Sequence, residues 1–242
     1  MSNETASTAE IYDAFAEEYR AYSETKSAYI SSVDNLIIER FSNQAKTMLD
    51  FGSGDGVRGA GVAKSLNIKS LYQVDISPEM VNRCQELDVA EQVYLSHTNK
   101  WVEEIPAVDI AVCLWNVLGH VPSQDERIAK LHDIRNSLKP GGYLCIDVNN
   151  RHNKSYGLIQ AYARKILDTI WPDVRRGDVS FSWKIGDKAY PATGHFFTPE
   201  EIKSLVVDAG FSIKRIVAVD YTTGKVSDNL MDGQIFIIVK KN

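Results

Sequence analysis

Short apolar segments alternate with helical segments from Lys46 onward, and no other sequence feature restricts the possible folds as strongly. This alternation predicts βαβ units and therefore a parallel sheet with helices on its faces. The five predicted strands are KTMLDF, SLYQVD, EQVYLS, VDIAVCLW and GGYLCIDV, and two more, SIKRIVAVD and QIFIIVK, follow near the end. The last two are expected to pair as a hairpin. We predict a doubly wound α/β fold whose mostly parallel seven-stranded sheet has an antiparallel C-terminal strand.

The predicted elements divide one domain, residues 1–242, into four segments. Residues 1–45 carry two helices with apolar residues at spacings of three and four. Residues 46–149 hold the five strands, and residues 196–242 hold a capped helix and the hairpin. Residues 150–195 show no clean alternation, although LIQAYARKILDTIW is typical of an amphipathic helix. Segment 150–195 contains eight Lys and Arg residues and four Asp residues, a local charge of +4. Because the whole chain carries −5, the rest of the chain carries −9.

Composition excludes several classes of protein. No apolar run is long enough to cross a bilayer, and the first thirty residues are too polar for a signal peptide, so we expect a cytoplasmic protein without a membrane partner. A net charge of −5 disfavours nucleic-acid binding. Three cysteines allow neither a disulfide framework nor a C-x-x-C metal site, and the spacing of the histidines indicates no metal site either.

The stretch LDFGSGDGVRG, residues 49–59, contains two overlapping glycine signatures. Gly52, Gly54 and Gly56 form G-x-G-x-G, whereas a register that starts at Gly54 and ends at Gly59 forms the G-x-G-x-x-G of a dinucleotide site. In a dinucleotide site the first glycine follows the strand directly, and the predicted strand ends at Phe51. We therefore favour the first register and assign Gly59 to close packing of the following helix on the sheet.

Two acidic residues at strand ends indicate which class of ligand the loop can bind. Asp50 lies at the carboxyl end of the first strand, where its charge would repel a pyrophosphate and attract a cation. S-adenosylmethionine combines an ammonium with an adenosine and has no phosphate, so it suits such a loop. Asp75 ends the second strand, where a carboxylate can accept hydrogen bonds from both ribose hydroxyls. Each residue also has a simpler explanation, since Asp50 could cap the loop and Asp75 could open the next helix.

At this point the chain resembles a class I S-adenosylmethionine-dependent methyltransferase. The matching pieces occur in the order typical of that family over about residues 46–240: LDFGSGDG, VDISPEM, DIAVCLWNVLGHV, LKPGGYLCIDV and FTPEEIKSLVVDAGF. The earlier stretch IYDAFAEEYRAY is similar to a Tyr-bearing helix that precedes the core in many small-molecule members. The resemblance makes 1–45 the lid helices, 46–149 the cofactor-binding core and 150–195 a substrate-side insertion.

The resemblance also assigns cofactor contacts. It places Gly52, Gly54 and Gly56 beside the methionine moiety, Asp75 on the ribose, Ile76 on the adenine, and Leu114 and Trp115 near the methionine and the substrate. Tyr12 or Tyr19 would reach the cofactor carboxylate from the lid. The chain departs from the family at the adenine amino group, because the stretch after the third strand reads SHTNKWVEEIP without the usual acidic residue. Thr98, Asn99 or Trp101 would take over that contact.

Methyl transfer from a sulfonium is an in-line displacement, so alignment supplies most of the acceleration and a general base is optional. The candidate catalytic residues are His120, after the fourth strand, His195, before a capped helix, and Tyr12 on the lid. His120 would either shape the pocket or act as a base, and His195 could equally be a solvated loop residue.

The insertion 150–195 and the absence of two nucleic-acid methylase motifs indicate which class of molecule accepts the methyl group. The positive charge and the six aromatic residues of 150–195 would select an acidic or aromatic small molecule, or merely form a packed cap. The stretch LWNVLGH lacks the Pro-Pro motif of an exocyclic-amino nucleic-acid methylase, and no Pro-Cys occurs. We predict methylation of an N or O atom of a small metabolite, with S-adenosylhomocysteine as product. The alternatives are an NAD-linked oxidoreductase and a non-catalytic S-adenosylmethionine-binding regulatory protein.

Overall fold

The computed structural model describes residues 6–98 and 100–242. Helices occur before, within and after the predicted core. Their bounds are α1 Thr8–Glu24, α2 Ser27–Phe41, α3 Val57–Ser65, α4 Pro78–Leu87, α5 Lys100–Glu104, α6 Gln124–Asn136, α7 Leu158–Ile170 and α8 Pro199–Asp208.

The strands form one large sheet and one small hairpin. Their bounds are β1 Thr47–Phe51, β2 Ser70–Asp75, β3 Gln92–Leu95, β4 Val108–Cys113, β5 Leu138–Val148, β6 Asp178–Ile185, β7 Lys188–His195, β8 Phe211–Val219, β9 Val226–Ser227 and β10 Gln234–Lys241. The large sheet has the order β3-β2-β1-β4-β5-β10-β8-β9, in which β10 runs antiparallel to both β5 and β8. The predicted α/β fold class is confirmed, with the two-residue β9 as an additional antiparallel edge strand.

The strand order determines where a ligand can bind. Strand β1 pairs in parallel with β2 on one side and with β4 on the other, so the chain reverses its direction of winding between β1 and β4. A crevice therefore opens at the carboxyl ends of these two strands, the usual ligand position in open α/β sheets. The loop after Phe51 and the turn after Cys113 both lie at this edge.

Helices cover both faces of the sheet and bury it. On one face Leu131 of α6 and Leu205 of α8 pack with Leu144 of β5. On the other face Ile37 of α2 and Val62 of α3 belong to a second apolar cluster. Because both faces are covered, the central strands are almost continuously apolar, which is why their runs are recognisable in the sequence.

Local signals place several helix ends correctly. Ser77 caps α4 with Pro78 at its first position, and Thr198 and Glu201 form the predicted capping box of α8. Gly210 follows α8 with φ +84°, the left-handed conformation expected after a helix end. These interactions span only a few residues, so the sequence pattern is sufficient to predict them.

The insertion 150–195 contains a hairpin that the sequence analysis missed. Helix α7 is present as predicted, but β6 and β7 then pair antiparallel from Asp178↔His195 to Ile185↔Lys188. The stretch DVSFSWKI does alternate, with Val179, Phe181 and Trp183 less exposed than their neighbours. This period of two was the signal for a strand.

The hairpin and the first helix meet above the carboxyl edge of the large sheet. Ile11 and Phe15 of α1 pack with Ile185 and Ala192 of the hairpin in a third apolar cluster. Helix α1 itself begins with a capping box between Ser7 and Glu10. The site is therefore covered by two segments, α1 and the β6–β7 hairpin, that are more than 150 residues apart in the chain.

Within the described residues, none of the helices has the length and apolarity to cross a bilayer. All three cysteines are buried and free.

Candidate active site

The loop after β1 adopts a conformation that requires glycine. Gly52, Gly54 and Gly56 have φ values of +78°, +55° and +77°, and Gly56 is the N-cap of α3. A Cβ at Gly52 would overlap the side chain of Val117, and one at Gly54 would lie 2.6 Å from the hydroxyl of Tyr19. The glycines with left-handed φ are those of the G-x-G-x-G register, which is the register favoured from the sequence.

Gly59 has a different role, within α3. A Cβ at this position would overlap the carboxylate of Asp50, so α3 approaches β1 as closely as a glycine allows. Asp50 is buried, and Gln73 Nε2 lies 3.4 Å from its Oδ2. Burial raises the pKa of Asp50 to about 7. The carboxylate thus lies behind the loop, against α3, and not on the wall of the cavity to which we assigned it.

A cavity of about 410 Å³ opens at the carboxyl edge of the sheet. The glycine loop forms its floor, and Tyr12 and Tyr19 of α1 form its roof. The other core residues on its wall include Phe51, Val74, Asp75, Ile76, Ser96, Leu114 and Trp115. Of the predicted cofactor residues, the structure brings Gly52, Gly54, Asp75, Ile76, Leu114 and Tyr19 together around this cavity.

Asp75 fits the ribose position. Its two carboxylate oxygens accept hydrogen bonds from the backbone N–H groups of Gly54 (2.8 Å) and Ser77 (2.9 Å), which leaves further lone pairs for hydroxyl donors. Burial raises its pKa to about 6 in spite of these N–H donors. Asp75 therefore both holds the loop and faces the cavity, so its two sequence-based explanations are compatible. Ile76 beside it is 40% exposed and offers an apolar surface for a base.

The adenine end differs from the sequence expectation. Trp101 is fully buried, packs on Phe51 and donates its indole N–H to the carbonyl of Ser96 (3.2 Å), so it belongs to the core. Thr98 is exposed and donates its hydroxyl to Leu95 O (2.8 Å). Asn99 lies outside the described residues. Ser96 lies on the cavity wall instead. It is the first residue after β3, which ends at Leu95, so the end of the strand was the signal for this position.

A second cavity of about 360 Å³ lies beside the first, between α1, the hairpin and the end of β4. Aromatic side chains dominate its wall, which contains Tyr12, Phe15, Tyr19, Tyr22, Trp115, Phe181, Trp183, Phe196 and Tyr221. Asn116, Asn149 and His120 contribute polar groups. Among the described residues, no Lys, Arg, Asp or Glu lines this cavity.

Tyr12, Tyr19, Trp115 and His120 line both cavities and so separate them. The hydroxyl of Tyr12 lies 3.2 Å from Nε2 of His120. Burial lowers the pKa of His120 to about 4, so its imidazole is neutral at physiological pH. Burial also raises the pKa of Tyr12, which keeps the phenol protonated.

The turn after β4 has an unusual backbone. Trp115 and Asn116 have φ values of +65° and +62°, a conformation that non-glycine residues rarely adopt. Both backbone N–H groups donate to the buried carboxylate of Asp147, which also accepts a hydrogen bond from the hydroxyl of Tyr29 (2.7 Å). We did not predict Asn116, Asp147 or Tyr29 from the sequence, although the acidic residue inside the apolar run CIDV was a signal for Asp147.

His195 lines neither cavity, although its chain neighbours Gly194 and Phe196 line the second one. It is 1% exposed, and its Nδ1 and Nε2 lie 2.7 and 2.8 Å from carboxylate oxygens of Asp178 and Glu201. It is therefore no solvated loop residue, and both ring nitrogens are already occupied. The arrangement ties the end of β7 to the start of α8.

Polar contacts hold α1 over the first cavity. The carboxylate of Asp13 accepts hydrogen bonds from the hydroxyl of Ser77 and from the backbone N–H of Glu79 (3.1 Å), at the start of α4. Arg20 forms an ion pair of 3.2 Å with Asp55 of the glycine loop. Both contacts connect the lid helix to the segments that follow β1 and β2.

The basic side chains of the insertion do not reach the second cavity. The carboxylate of Asp168, whose side chain is 7% exposed, is contacted by the side chains of Arg151, His152 and Arg176. The positive charge of 150–195 is thus partly neutralised inside the segment.

The comparisons with known proteins agree with this geometry. A family model described as "Methyltransferase domain" matches residues 23–215. The ubiquinone biosynthesis O-methyltransferase of Pseudomonas paraeruginosa is 28% identical over 190 residues, which cover 77% of this chain and 73% of that protein.

Solved structures show the same fold. A possible histamine N-methyltransferase from Thermotoga maritima matches with a TM-score of 0.62 at 18% identity, over 96% of this chain and 99% of that one. The DhpI–SAM–HEP complex matches with a TM-score of 0.66 at 18% identity, over 98% and 100%. The family match favours the methyltransferase prediction over the NAD-linked and the non-catalytic alternatives. The chain belongs to the methyltransferase-domain family and is a class I S-adenosylmethionine-dependent methyltransferase.

Proposed function

We propose that the enzyme methylates a hydroxyl oxygen of a small, uncharged aromatic metabolite, with Tyr12 and His120 removing the hydroxyl proton. The observation that carries this proposal is the Tyr12–His120 contact in the wall shared by both cavities. S-adenosylmethionine, bound in the larger cavity, would supply a methyl group on a sulfonium, and the smaller cavity would hold the acceptor.

The lining of the smaller cavity supports an aromatic acceptor over an acidic one. Flat aromatic walls favour offset-stacked or edge-to-face packing of a planar ring. Trp183 and Phe181 of the hairpin and Trp115 of the core offer such surfaces. An acidic acceptor would need a cationic partner, and no described residue on this wall is Lys or Arg.

The contact between Tyr12 and His120 supports oxygen as the accepting atom. A hydroxyl is a weak nucleophile and benefits from a general base, whereas an amine needs only to arrive deprotonated. The Tyr12 hydroxyl would accept the proton of the acceptor and donate its own to His120 Nε2. The S–CH₃ bond of the bound S-adenosylmethionine would break as the new O–CH₃ bond forms, which would leave S-adenosylhomocysteine and place the released proton on His120. The name of the Pseudomonas relative, an O-methyltransferase, is consistent with this proposal.

Cofactor residues follow from the same geometry. We propose that Gly52 and Gly54 approach the methionine moiety, Asp75 the ribose, and Ile76 and Ser96 the adenine. Tyr19 and Leu114 would complete the wall around the reacting sulfur. Gly56, as the left-handed N-cap of α3, would act by shaping the loop.

The proposal is tested with S-adenosylmethionine labelled in its methyl group and a panel of acceptors: phenols and catechols, aromatic amines, and aliphatic acids. We expect kcat/KM to be highest for the neutral phenolic compounds, with transfer of label detected by mass spectrometry. Exclusive labelling of amines or acids would overturn the choice of acceptor.

A pair of tryptophan variants tests the placement of the acceptor. Trp183→Ala removes a ring from the cavity wall and should raise KM about tenfold with a smaller change in kcat. Trp171→Ala changes the same residue type in the same insertion, at a position that is 70% exposed and off the cavity wall. Equal effects of the two variants on KM would argue against an acceptor beside Trp183.

A further inference from the structure

Helix α7 is amphipathic, but its apolar side faces away from the protein. Its polar side faces the protein, where Asp168 binds Arg151 and His152, and Ala161 is buried beside it. Its apolar side faces outward, with Ile159 80% exposed and Ile170 65% exposed. A helix that covers a core normally has the opposite arrangement.

The exposed side forms one continuous surface. We call it the α7 apolar face, and it consists of Leu158, Ile159, Tyr162, Ile166, Ile170 and Trp171. The helical members recur at intervals of three or four residues, or are adjacent, so they occupy one side of the helix. Exposed apolar surfaces of this kind on a folded chain mark a site of interaction with another apolar phase or partner.

Charge distinguishes between the candidate partners. The segment 150–195 carries a net +4, whereas the rest of the chain carries −9. Two copies that met through this segment would bring like charges together. An anionic surface would attract the segment and repel the remainder, and would thereby orient the molecule with α7 toward that surface.

The residue types on α7 point to a lipid surface. Interfacial helices place Leu, Ile and aromatic residues on one side and Lys or Arg on the other. Tyr162 and Trp171 are the aromatic members, and the exposed Lys165 lies at the edge of the apolar face. The helix has 13 residues, too few to span a bilayer and enough to lie flat on one.

We propose that α7 docks the enzyme on an anionic lipid bilayer, with the α7 apolar face inserted among the headgroups. The sequence-based expectation of no membrane partner rested on the lack of a spanning segment, which a helix lying in the interface does not require. This proposal concerns the outer surface and stands independently of the acceptor proposed for the aromatic cavity.

The test is binding to vesicles, followed by flotation. We expect the full chain to bind vesicles of phosphatidylcholine with about 30% phosphatidylglycerol more tightly than vesicles of phosphatidylcholine alone, and added salt to weaken the difference. Ile159→Gln/Ile166→Gln keeps the charge and the helix propensity, and should weaken binding about tenfold or more. Lys165→Gln should weaken binding to the anionic vesicles alone, by about fivefold.

Val89→Gln is the matched control, because Val89 is 51% exposed but lies just after α4, away from the insertion. It should leave vesicle binding unchanged. Retained stabilisation by S-adenosylhomocysteine shows that each variant is folded, and if the double variant fails this check, Lys165→Gln with the wild-type lipid titration decides. The proposal is overturned if the wild type does not float with anionic vesicles, or if the α7 variants bind as it does. A dimer that the double variant dissociates, without lipid binding, would assign the surface to a second copy.

Discussion

The hydroxyl of Tyr12 lies 3.2 Å from Nε2 of His120, although 108 residues separate the two in the chain. Helix α1 supplies the phenol and the turn after β4 supplies the imidazole, so the pair forms only when α1 is docked over the sheet edge. Both residues line both cavities, so docking of the lid also assembles the pair that we propose to accept the proton.

His120→Asn should lower kcat by about 10²-fold or more if His120 takes up the proton, while the affinity for S-adenosylhomocysteine changes little. Tyr12→Phe should cause a loss of similar size, and the double variant should be no slower than the slower single variant, because the two residues act as a unit. His132→Asn on the exposed side of α6 is the control. If steady-state kinetics show that the loss of kcat in the double variant is the product of the two single losses, proton transfer through Tyr12 to His120 is contradicted.

The pH dependence of turnover gives a second test of His120. Its pKa is lowered to about 4, so the imidazole stays neutral from about pH 5 upward and is lost as a base only near pH 4. We therefore expect that the titration of His120 causes no inflection in the pH profile of kcat between pH 6 and 7. An inflection there that disappears in His120→Asn would show that His120 titrates at its ordinary value.

Two glycines of α3 make a matched pair for stability. Gly59→Ala should destabilise the fold by about 1–3 kcal/mol, because the new methyl group overlaps the Asp50 carboxylate. At Gly61 an added Cβ would meet open space, so Gly61→Ala should stabilise the fold by roughly 0.5–1 kcal/mol through helix propensity. Urea denaturation measures both. The same sign for the two changes would refute close packing of α3 on β1 at Gly59.

Asp50→Asn should change the pH dependence of stability. The folded pKa of Asp50 is raised to about 7 from an ordinary 3.8, so the folded state holds a proton that the unfolded state has lost. The contribution of Asp50 to stability therefore falls as the pH rises from about 4 to 7. The free energy of unfolding of the variant relative to the wild type should rise by about 2–3 kcal/mol between pH 5 and pH 8.

Urea titrations of the ligand-free protein at both pH values measure this difference. The comparison cancels the contributions of His120 and of the other groups common to both proteins. A difference that does not change with pH would mean that Asp50 is ionised in the folded state at its ordinary pKa.

Asp75→Asn should weaken binding of S-adenosylhomocysteine by about 10- to 100-fold, because an amide removes one acceptor and the charge. Calorimetry gives the affinity, and thermal unfolding without ligand shows whether the loop contacts to Gly54 and Ser77 survive. Asp55→Asn, an acidic residue of the same loop whose side chain lies off the cavity wall, should have a smaller effect. Unchanged affinity in Asp75→Asn would remove Asp75 from the cofactor site.

The lid contacts should control the release of the cofactor product. Asp13→Ala removes the acceptor for the Ser77 hydroxyl and the Glu79 N–H, and we expect S-adenosylhomocysteine to dissociate about 3- to 10-fold faster. Arg20→Ala breaks an ion pair whose Arg side chain is 59% exposed, so its effect should be smaller. Stopped-flow displacement measures both rates. Equal and unchanged rates would mean that α1 does not restrain the ligand.

The sequence determined what depends on neighbouring residues or on burial in a layered fold. Both sheet faces are covered, so the central strands appear as apolar runs, and their alternation with helices determined the fold class. The caps at Ser77 and Thr198 and the register of Gly52 depend on a few adjacent residues. The acidic residues at the strand ends and the resemblance to a known family predicted the cofactor, which the family match confirmed.

The directions of the polar side chains, and the groups that they contact, depend on the tertiary fold. It directed Asp50 toward Gly59 and away from the cavity, and it placed His195 between two carboxylates from different elements. It also turned the apolar side of α7 outward, because the buried Asp168 collects Arg151 and His152 on the inner side. Such choices depend on contacts between residues that are far apart in the chain, and a local pattern contains no information about which distant partner will be present.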